Sequence, residues 1–451
     1  KKRFTAEGGH RAASPQETFE RYKHHISPIT GVVSELKRLE ENNQSGLVYS
    51  FSAGHNFATI TDDLFFLRVN VRGRSGGKGL SEIQAKVSGL CEAIERYSGV
   101  SWGDEIALRD SYAALKPQAV HPNECMLFSE EQYQNREGWN AAQPQTRRHV
   151  VPEPFDEDMP IDWTPAWSLT QNNFRYLPSA YCYYGHPDLK SYFSMLADSN
   201  GNAAGNTIEE AILQGFMELV ERDCVGIWWY NQIRCPAVDL DSFDLPYLHR
   251  LREYYAKINR ELWVVDLTND LSIPAFVGVS RRTDRPVEDI IFGFGAHFDP
   301  KIAVLRALTE VNQFLPCVSK TKSDGSTFYW FHDWEAIKWW RNATIESKPY
   351  LAPDPALPAK KLSDYAPYSC DDLRDDVLNC IEIARRHNLE MLIVDQTRPD
   401  IELSVVKVIV PGLRHFWRRL GPGRLYEVPV KLGWRKDPLS ETQVNDWNIF
   451  F

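Results

Sequence analysis

Two stretches of the chain share the spelling Glu-x-x-Glu-Arg: Glu92, Glu95 and Arg96, then Glu218, Glu221 and Arg222, 126 positions later. Glutamates three residues apart lie on one face of a helix, where their repulsion costs about 0.2–0.5 kcal/mol per pair in water and more when buried. A cation between two such faces removes that cost. An all-oxygen donor set favours Mg2+ or Mn2+ over zinc or copper, and Mg2+ is usually held by one or two carboxylates together with substrate phosphates. The four glutamates are therefore candidate metal ligands for a nucleoside triphosphate site. Arg96 and Arg222 are placed to neutralise phosphate oxygens or to fix the carboxylates.

The competing reading of a single such motif is a solvated, salt-bridged face. Two occurrences, each after a run of small residues and each beside an apolar stripe, weigh against it. On the first helix Ile83, Val87, Leu90, Ile94 and Tyr97 step by three or four, while Ser88, Glu92 and Glu95 share another face. On the second, Ile208, Ile212, Phe216 and Leu219 form the stripe, and Glu210, Gln214, Glu218 and Glu221 share a face. A carboxylate-bridged di-iron bundle normally needs Glu-x-x-His pairs, and neither helix supplies one. Gly73 to Gly79 lacks the Gly-Lys-Ser/Thr ending of a Walker A loop, and kinase signatures are missing. Any use of ATP must rely on other machinery.

Around these motifs the periodicity predicts an α+β protein. Residues 1–45 read as helical, with Ser14-Pro15-Gln16-Glu17 as a capping-box start. Strands are predicted near 48–53 and 65–71, a glycine-rich loop over 73–79, and a helix over 81–98. Residues 105–170 read as an extended insertion. Strands near 176–184 and 191–197, a Gly/Asn loop over 198–206 and a helix over 207–231 then repeat the pattern, which suggests two related halves. Further strands are predicted at 262–267, 274–280, 288–295, 390–396 and 404–410, with helices at 299–316, 331–342 and 371–387.

At 451 residues, 43% hydrophobic and 25% charged, the chain has the composition of a globular protein, without a signal peptide or an 18-residue apolar run. We expect a cytoplasmic protein that works on neither membrane nor nucleic acid. A net charge of -10 argues against non-specific polyanion binding. The late basic cluster Arg414, Arg418, Arg419, Arg424, Lys431, Arg435 and Lys436 reads as a solvated surface, or else as a contact for an acidic partner peptide. Eight cysteines show neither CxxC nor Cys/His metal spacing, so reduced thiols are expected.

Ser75-Gly-Gly-Lys-Gly-Leu-Ser-Glu-Ile-Gln-Ala-Lys-Val-Ser-Gly-Leu-Cys-Glu-Ala-Ile-Glu-Arg-Tyr-Ser98 and the segment from Asp198 to Asp223 together resemble the YcaO family. Weaker matches are Gly9 to Thr18, Ala296 to Glu310, Thr397-Arg-Pro-Asp-Ile401 and Val410-Pro-Gly-Leu413. The Gly9-His-Arg opening and the TRPD and PGL segments look most like azoline-forming cyclodehydratases, including the cyanobactin heterocyclases.

The resemblance implies one YcaO domain over 1–451: an N-terminal helical segment 1–45, a first half over about 46–170, and a second half with a C-terminal segment over about 171–451. The implied fold is two related β-sheet/helix halves with ATP between the acidic helices. By position, Glu92, Glu95, Glu218 and Glu221 would bind Mg2+, and Arg96 and Arg222 would support the phosphates. Ser88, Asn206 and Glu210 would complete the nucleotide pocket, with Arg11 and Thr18 closing it. A serine common in the family three residues before the asparagine is Ala203 here.

The implied reaction is ATP-dependent cyclisation of Cys, and of Ser or Thr, in a ribosomally made precursor peptide, by phosphorylation of the amide oxygen. Azoline-forming members commonly end in PxPxP, and this chain ends Asn448-Ile-Phe-Phe451. The terminal carboxylate of Phe451 is the candidate base. His297 and His415 read as packing residues. Backbone thioamidation and a non-catalytic nucleotide- or peptide-binding module are the alternatives. A leader-binding, E1-like domain is expected upstream of Lys1 or on a separate protein. A homodimer is compatible with the chain but is read from no residue.

Overall fold

The computed structural model describes residues 1–6, 8–39, 46–55, 74–142, 149–195, 197–330 and 333–450. The chain opens with a hairpin of β1 (Phe4–Ala6) and β2 (Gly9–Arg11), followed by α1 (Pro15–Tyr22). The Ser14/Glu17 capping box is present at the start of α1, with Pro15 in its first turn. Apart from α1 and the 3-10 turn Lys23–His25, the helical reading of 1–45 is overturned for the other described residues. Pro28 disfavours helical backbone at the residue before it, and the chain re-enters as β3 (Val33–Arg38). With β4 (Tyr49–His55) and β5 (Arg74–Gly79) it forms an antiparallel meander. The strand expected over 65–71 lies outside the described residues.

α2 (Glu82–Ser98) follows, with Ser81 as its N-cap. The glycines taken to mark a loop instead make β5 a strand that α2 can approach closely. A Cβ on Gly77 would stand 2.0 Å from the Ala85 carbonyl oxygen and 2.3 Å from the Gly89 nitrogen. Any side chain there would push the helix off the sheet.

The region read as an insertion contributes β6 (Leu108–Asp110) and β7 (Ile161–Ser168), with short helices between them. β8 (Asn173–Pro178) and β9 (Asn202–Gly205) come next. Residues 179–182 are helical rather than extended, and the described residues 191–195 and 197 do not form the expected strand. α3 (Ile208–Asn231) is capped by Thr207 and buried along most of its length. After α4 (Pro246–Lys257) comes a second meander: β10 (Arg260–Asp266), β11 (Ala275–Arg282) and β12 (Ile291–Ala296). α5 (Pro300–Phe314) and the hairpin of β13 (Lys320–Thr321) and β14 (Thr327–Phe328) follow. The chain continues with α6 (Trp334–Asn342), α7 (Leu373–Arg386), β15 (Leu392–Asp395), β16 (Ser404–Ile409) and α8 (Arg424–Lys431).

A six-stranded sheet runs β6-β7-β15-β16-β9, with β8 also paired to β7. It joins residues on both sides of position 170, so a division into halves there cuts through one sheet. The two Glu-x-x-Glu-Arg helices also stand on different scaffolds. α2 follows the last strand of a meander, whereas α3 follows β9, at the end of the large sheet.

The repeated unit that the structure displays is the meander plus its helix, at 33–98 and 260–314. Gly295 packs beneath α5 as Gly77 does beneath α2, its would-be Cβ 2.2 Å from the Ala303 oxygen and 2.6 Å from the Ala307 nitrogen. A small core (Tyr22, Val33, Ala53, Leu90, Ala93, Ile94) lies between α1, α2 and the first meander. The large core gathers α3, the second meander and α5 around Trp228, Trp229 and Trp339.

Candidate nucleotide and metal site

α2 and α3 turn their acidic faces into one cavity of about 430 Å³. Arg11, Thr18, Ser88, Glu92, Glu95, Arg96, Asn206, Glu210, Glu218, Glu221 and Arg222 all line it. They arrive from the N-terminal hairpin, α1, α2, the end of β9 and α3. Positions 12 to 18 are tied to the start of α3. The Ala12 N–H donates to Glu210 Oε2 at 2.9 Å, and Asn206 Nδ2 donates to Glu210 Oε1 at 3.3 Å. Thr18 Oγ1 lies 3.0 Å from Asn206 Oδ1, and Arg11 sits 3.6 Å from Glu210. The N-terminal hairpin thus covers one end of the cavity.

The carboxylates are held against their own electrostatics. Burial pushes Glu95 up to about 8, with Arg96 opposing and Glu92 and Glu218 adding to the rise; the Ala204 N–H donates to it. Burial also raises Glu218 and Glu221, against the attraction of Arg222. Arg96 reaches Glu92 at 3.4 Å, Glu95 at 3.8 Å and the Tyr184 hydroxyl at 3.2 Å. Arg222 donates to Glu218 at 3.1 Å and to Glu221, and lies 4.3 Å from the centre of the Phe416 ring. Each arginine is thus held from outside the cavity by an aromatic residue. At neutral pH these glutamates call for protons or a cation. The all-oxygen donor set suits Mg2+.

Several further lining residues were not singled out in the sequence. Lys78 on β5 pairs with Glu310 on α5 at 2.6 Å. Arg306, one turn earlier on α5, donates to Gln214 at 2.7 Å and to the Gly8 carbonyl at 3.1 Å. Burial and the nearby Arg11 pull its guanidinium down to about 10. Glu310 and Arg306 lie in the Ala296–Glu310 segment already matched to the family, which was the available signal. Ala203 lines the cavity, where the family's serine would stand.

The other expected features have mixed outcomes. His297 is fully buried among His10 and Tyr368, and accepts from the Asp299 N–H through Nδ1. His415 stacks on Trp417 at 4.1 Å. Burial first, then neighbouring cations, pulls both well below the usual imidazole range. Much of the late basic cluster is interior rather than a surface for solvent or an acidic peptide. Arg414 and Arg419 are buried, and Arg424 forks onto Asp223 at 2.7 Å and Asp270 at 2.7 Å. Arg424 thus ties the start of α8 to Asp223 of α3. Phe451 lies outside the described residues, while Phe450 is buried against Phe292, Trp339 and Trp340. None of the eight cysteines is paired in a disulfide among the described residues. No helix among the described residues is long and apolar enough to cross a membrane.

A mixed fold of small antiparallel sheets, with acidic helices facing each other across a cavity, defines a class before any sequence is compared. Residues 76–414 match the YcaO family, described as cyclodehydratases that bind ATP and Mg2+, and this chain belongs to that family. It is 49% identical to a heterocyclase solved in complex with substrate and cofactor, over 98% of this chain, with a TM-score of 0.90. It is 46% identical to the heterocyclase TruD over 98% of this chain, with a TM-score of 0.79. The chain spans 58% and 55% of those two proteins' lengths. A YcaO from Methanopyrus kandleri, bound with AMPPCP and Mg2+, shares the fold at 21% identity over 91% of this chain and 94% of its own, with a TM-score of 0.64.

Proposed function

We propose that this chain carries the catalytic site of an ATP-dependent peptide heterocyclase. It would cyclise cysteine, and serine or threonine, in a ribosomally made precursor peptide to thiazoline or oxazoline. One observation carries the reading: four glutamates from two helices share a single cavity in a chain about half identical to a heterocyclase. Glu92, Glu95, Glu218 and Glu221 would hold Mg2+. Bound Mg-ATP would supply the phosphoryl group that turns a poor leaving group, the amide oxygen, into a good one.

The chain's own contribution is positioning and electrostatics. Arg96 and Arg222 stay beside the carboxylates, ready to take up phosphate charge. Arg11, Thr18, Asn206 and Glu210 form one hydrogen-bonded and ion-paired group at the hairpin end of the cavity. On the substrate, the thiol sulfur would bond to the preceding carbonyl carbon as its proton passes to a base, the oxygen would take the phosphoryl group, and phosphate would depart as the amide nitrogen loses its proton and the ring C=N bond forms. Leader recognition would fall to a segment outside this chain or to a separate protein.

The test is to incubate the full-length protein with Mg-ATP and a cysteine-containing precursor peptide, following peptide mass and nucleotide together. Loss of one water for each cysteine, with peptide-dependent ATP consumption, supports the reading. Exchange of an oxygen for a sulfur would make the protein a thioamide-forming enzyme. An unchanged peptide beside bound nucleotide would reduce the site to a binding module.

A further inference from the structure

Lys407 stands on β16 directly opposite Asn202 of β9, and its side chain is buried. Its ammonium is spent on one short loop. Nζ donates to the Asp198 carbonyl at 2.6 Å, to Asn202 Oδ1 at 3.0 Å and to the Asn200 carbonyl at 3.4 Å. The Asp198 carboxylate lies 4.0 Å away. Three oxygens face one nitrogen, and only the protonated amine has three N–H groups to give them.

The loop these contacts fix belongs to the cavity wall. Ser199 and Asn202 both line the cavity, and Asn202 passes its other end to Gln396 at 2.7 Å. Between them Gly201 has φ +77° and is wedged between β16 and α3. A Cβ there would meet the Val408 carbonyl at 2.1 Å, and the Gly201 oxygen lies 2.6 Å from where a Cβ on Gly215 would stand. A chain turned this tightly aims its carbonyls inward at one point, where they repel unless a cation is present. A free monovalent cation is the usual occupant of such an oxygen cage; here the charge is tethered to the neighbouring strand.

We propose that Lys407 is a positioning residue: its ammonium acts as a built-in monovalent cation that holds the 198–202 loop in the shape the nucleotide cavity needs. The inference rests on the nucleotide reading of that cavity. It extends the reading to a residue that does not line the cavity.

The experiment compares the full-length protein with its Lys407→Ala variant in sodium, potassium and methylammonium chloride, reading AMPPCP affinity in the presence of Mg2+ and the melting temperature. In sodium the variant should bind AMPPCP roughly tenfold more weakly, because a displaced wall costs positioning. Potassium or methylammonium, closer in size to the lost ammonium, should restore much of that affinity and raise the variant's melting temperature, while the unaltered protein responds to neither. A folded variant that binds like the unaltered protein overturns the proposal. So does one that is weakened equally in all three salts, since a merely structural lysine would give that result. If the variant is unfolded in sodium, recovery of a cooperative melt in methylammonium supports the cage, and no recovery in either cation overturns it. Failure of the unaltered protein to bind AMPPCP would instead remove the nucleotide reading, and the salt dependence of the variant's melting would still judge the cage.

Discussion

The two meander-and-helix units, 33–98 and 260–314, solve the same packing problem and then diverge at one point. In both, a glycine on the third strand lets the helix backbone sit almost in contact with the sheet, Gly77 under α2 and Gly295 under α5. Gly295 follows Gly77 by 218 positions, Asp299 follows the Ser81 cap by the same distance, and Glu310 follows Glu92 likewise. Both helices therefore present a carboxylate to the cavity at the same place. One turn further on they part. α2 continues with Glu95 and Arg96, where α5 has Gln313 and Phe314. The second unit gives Arg306 instead, at the place of Ser88. One scaffold thus supplies candidate metal ligands from its first copy and mostly cationic and hydrogen-bonding groups from its second. The opposite acidic wall comes from α3, on another scaffold.

If that division of labour is right, removing charge from the first unit should cost most. Glu92→Gln or Glu95→Gln should lower peptide-dependent ATP turnover by about 10²-fold or more while circular dichroism stays unchanged. Activity surviving both substitutions would break the metal assignment. The shared packing is tested next: Gly77→Ala and Gly295→Ala should each destabilise by about 1–3 kcal/mol, read from denaturant midpoints. A well-tolerated alanine at either position would mean the two helices do not sit alike. Glu310→Gln should fall between Glu92→Gln and the unaltered protein, near tenfold, because it loses its pairing with Lys78 but leaves the four candidate ligands. A loss as deep as that of Glu92→Gln would make the two units equal partners at the metal.

What could be seen in the sequence depended on how local the cause was. The starts of α1, α2 and α3 were legible because Ser14, Ser81 and Thr207 cap their own helices, and the buried stripes were legible from their spacing. β5 was misread because Gly76, Gly77 and Gly79 speak of turns; their actual reason, a helix laid against them, lies outside the segment. The helical reading of 1–45 spread the Ser14 signal over residues that pair as strands. The 218-residue repeat was invisible because few side chains spell it, while the Glu-x-x-Glu-Arg pair spelled a duplication that the backbone does not share. Lys78 and Glu310 meet across 232 residues, a contact that no window of sequence contains. Arg414 and Arg424 looked like surface charge because their partner, Asp223, is 191 and 201 residues away.

The smallest expected effect lies in the metal-free protein's response to pH. Burial lifts Glu95 from its ordinary 4.5 to about 8, and Glu221 moves the same way. The folded state therefore holds protons that the unfolded chain has released across that window. Folding stability must then fall as pH rises from 4.5 toward 8, and the loss is complete above the folded value. In EDTA the melting temperature should drop by on the order of a few degrees between pH 5.5 and 8.5. Mg2+ should restore it chiefly at the alkaline end, where the carboxylates are ionised and able to bind. Glu95→Gln should flatten the slope in EDTA, since an amide has no proton to lose. Glu310→Gln should soften the slope only in part, because Glu310 adds to the rise of Glu221 but not to that of Glu95. An EDTA profile that is flat in the unaltered protein would mean the first helix bears no trapped charge, and the contrast between the two units would then be one of sequence only.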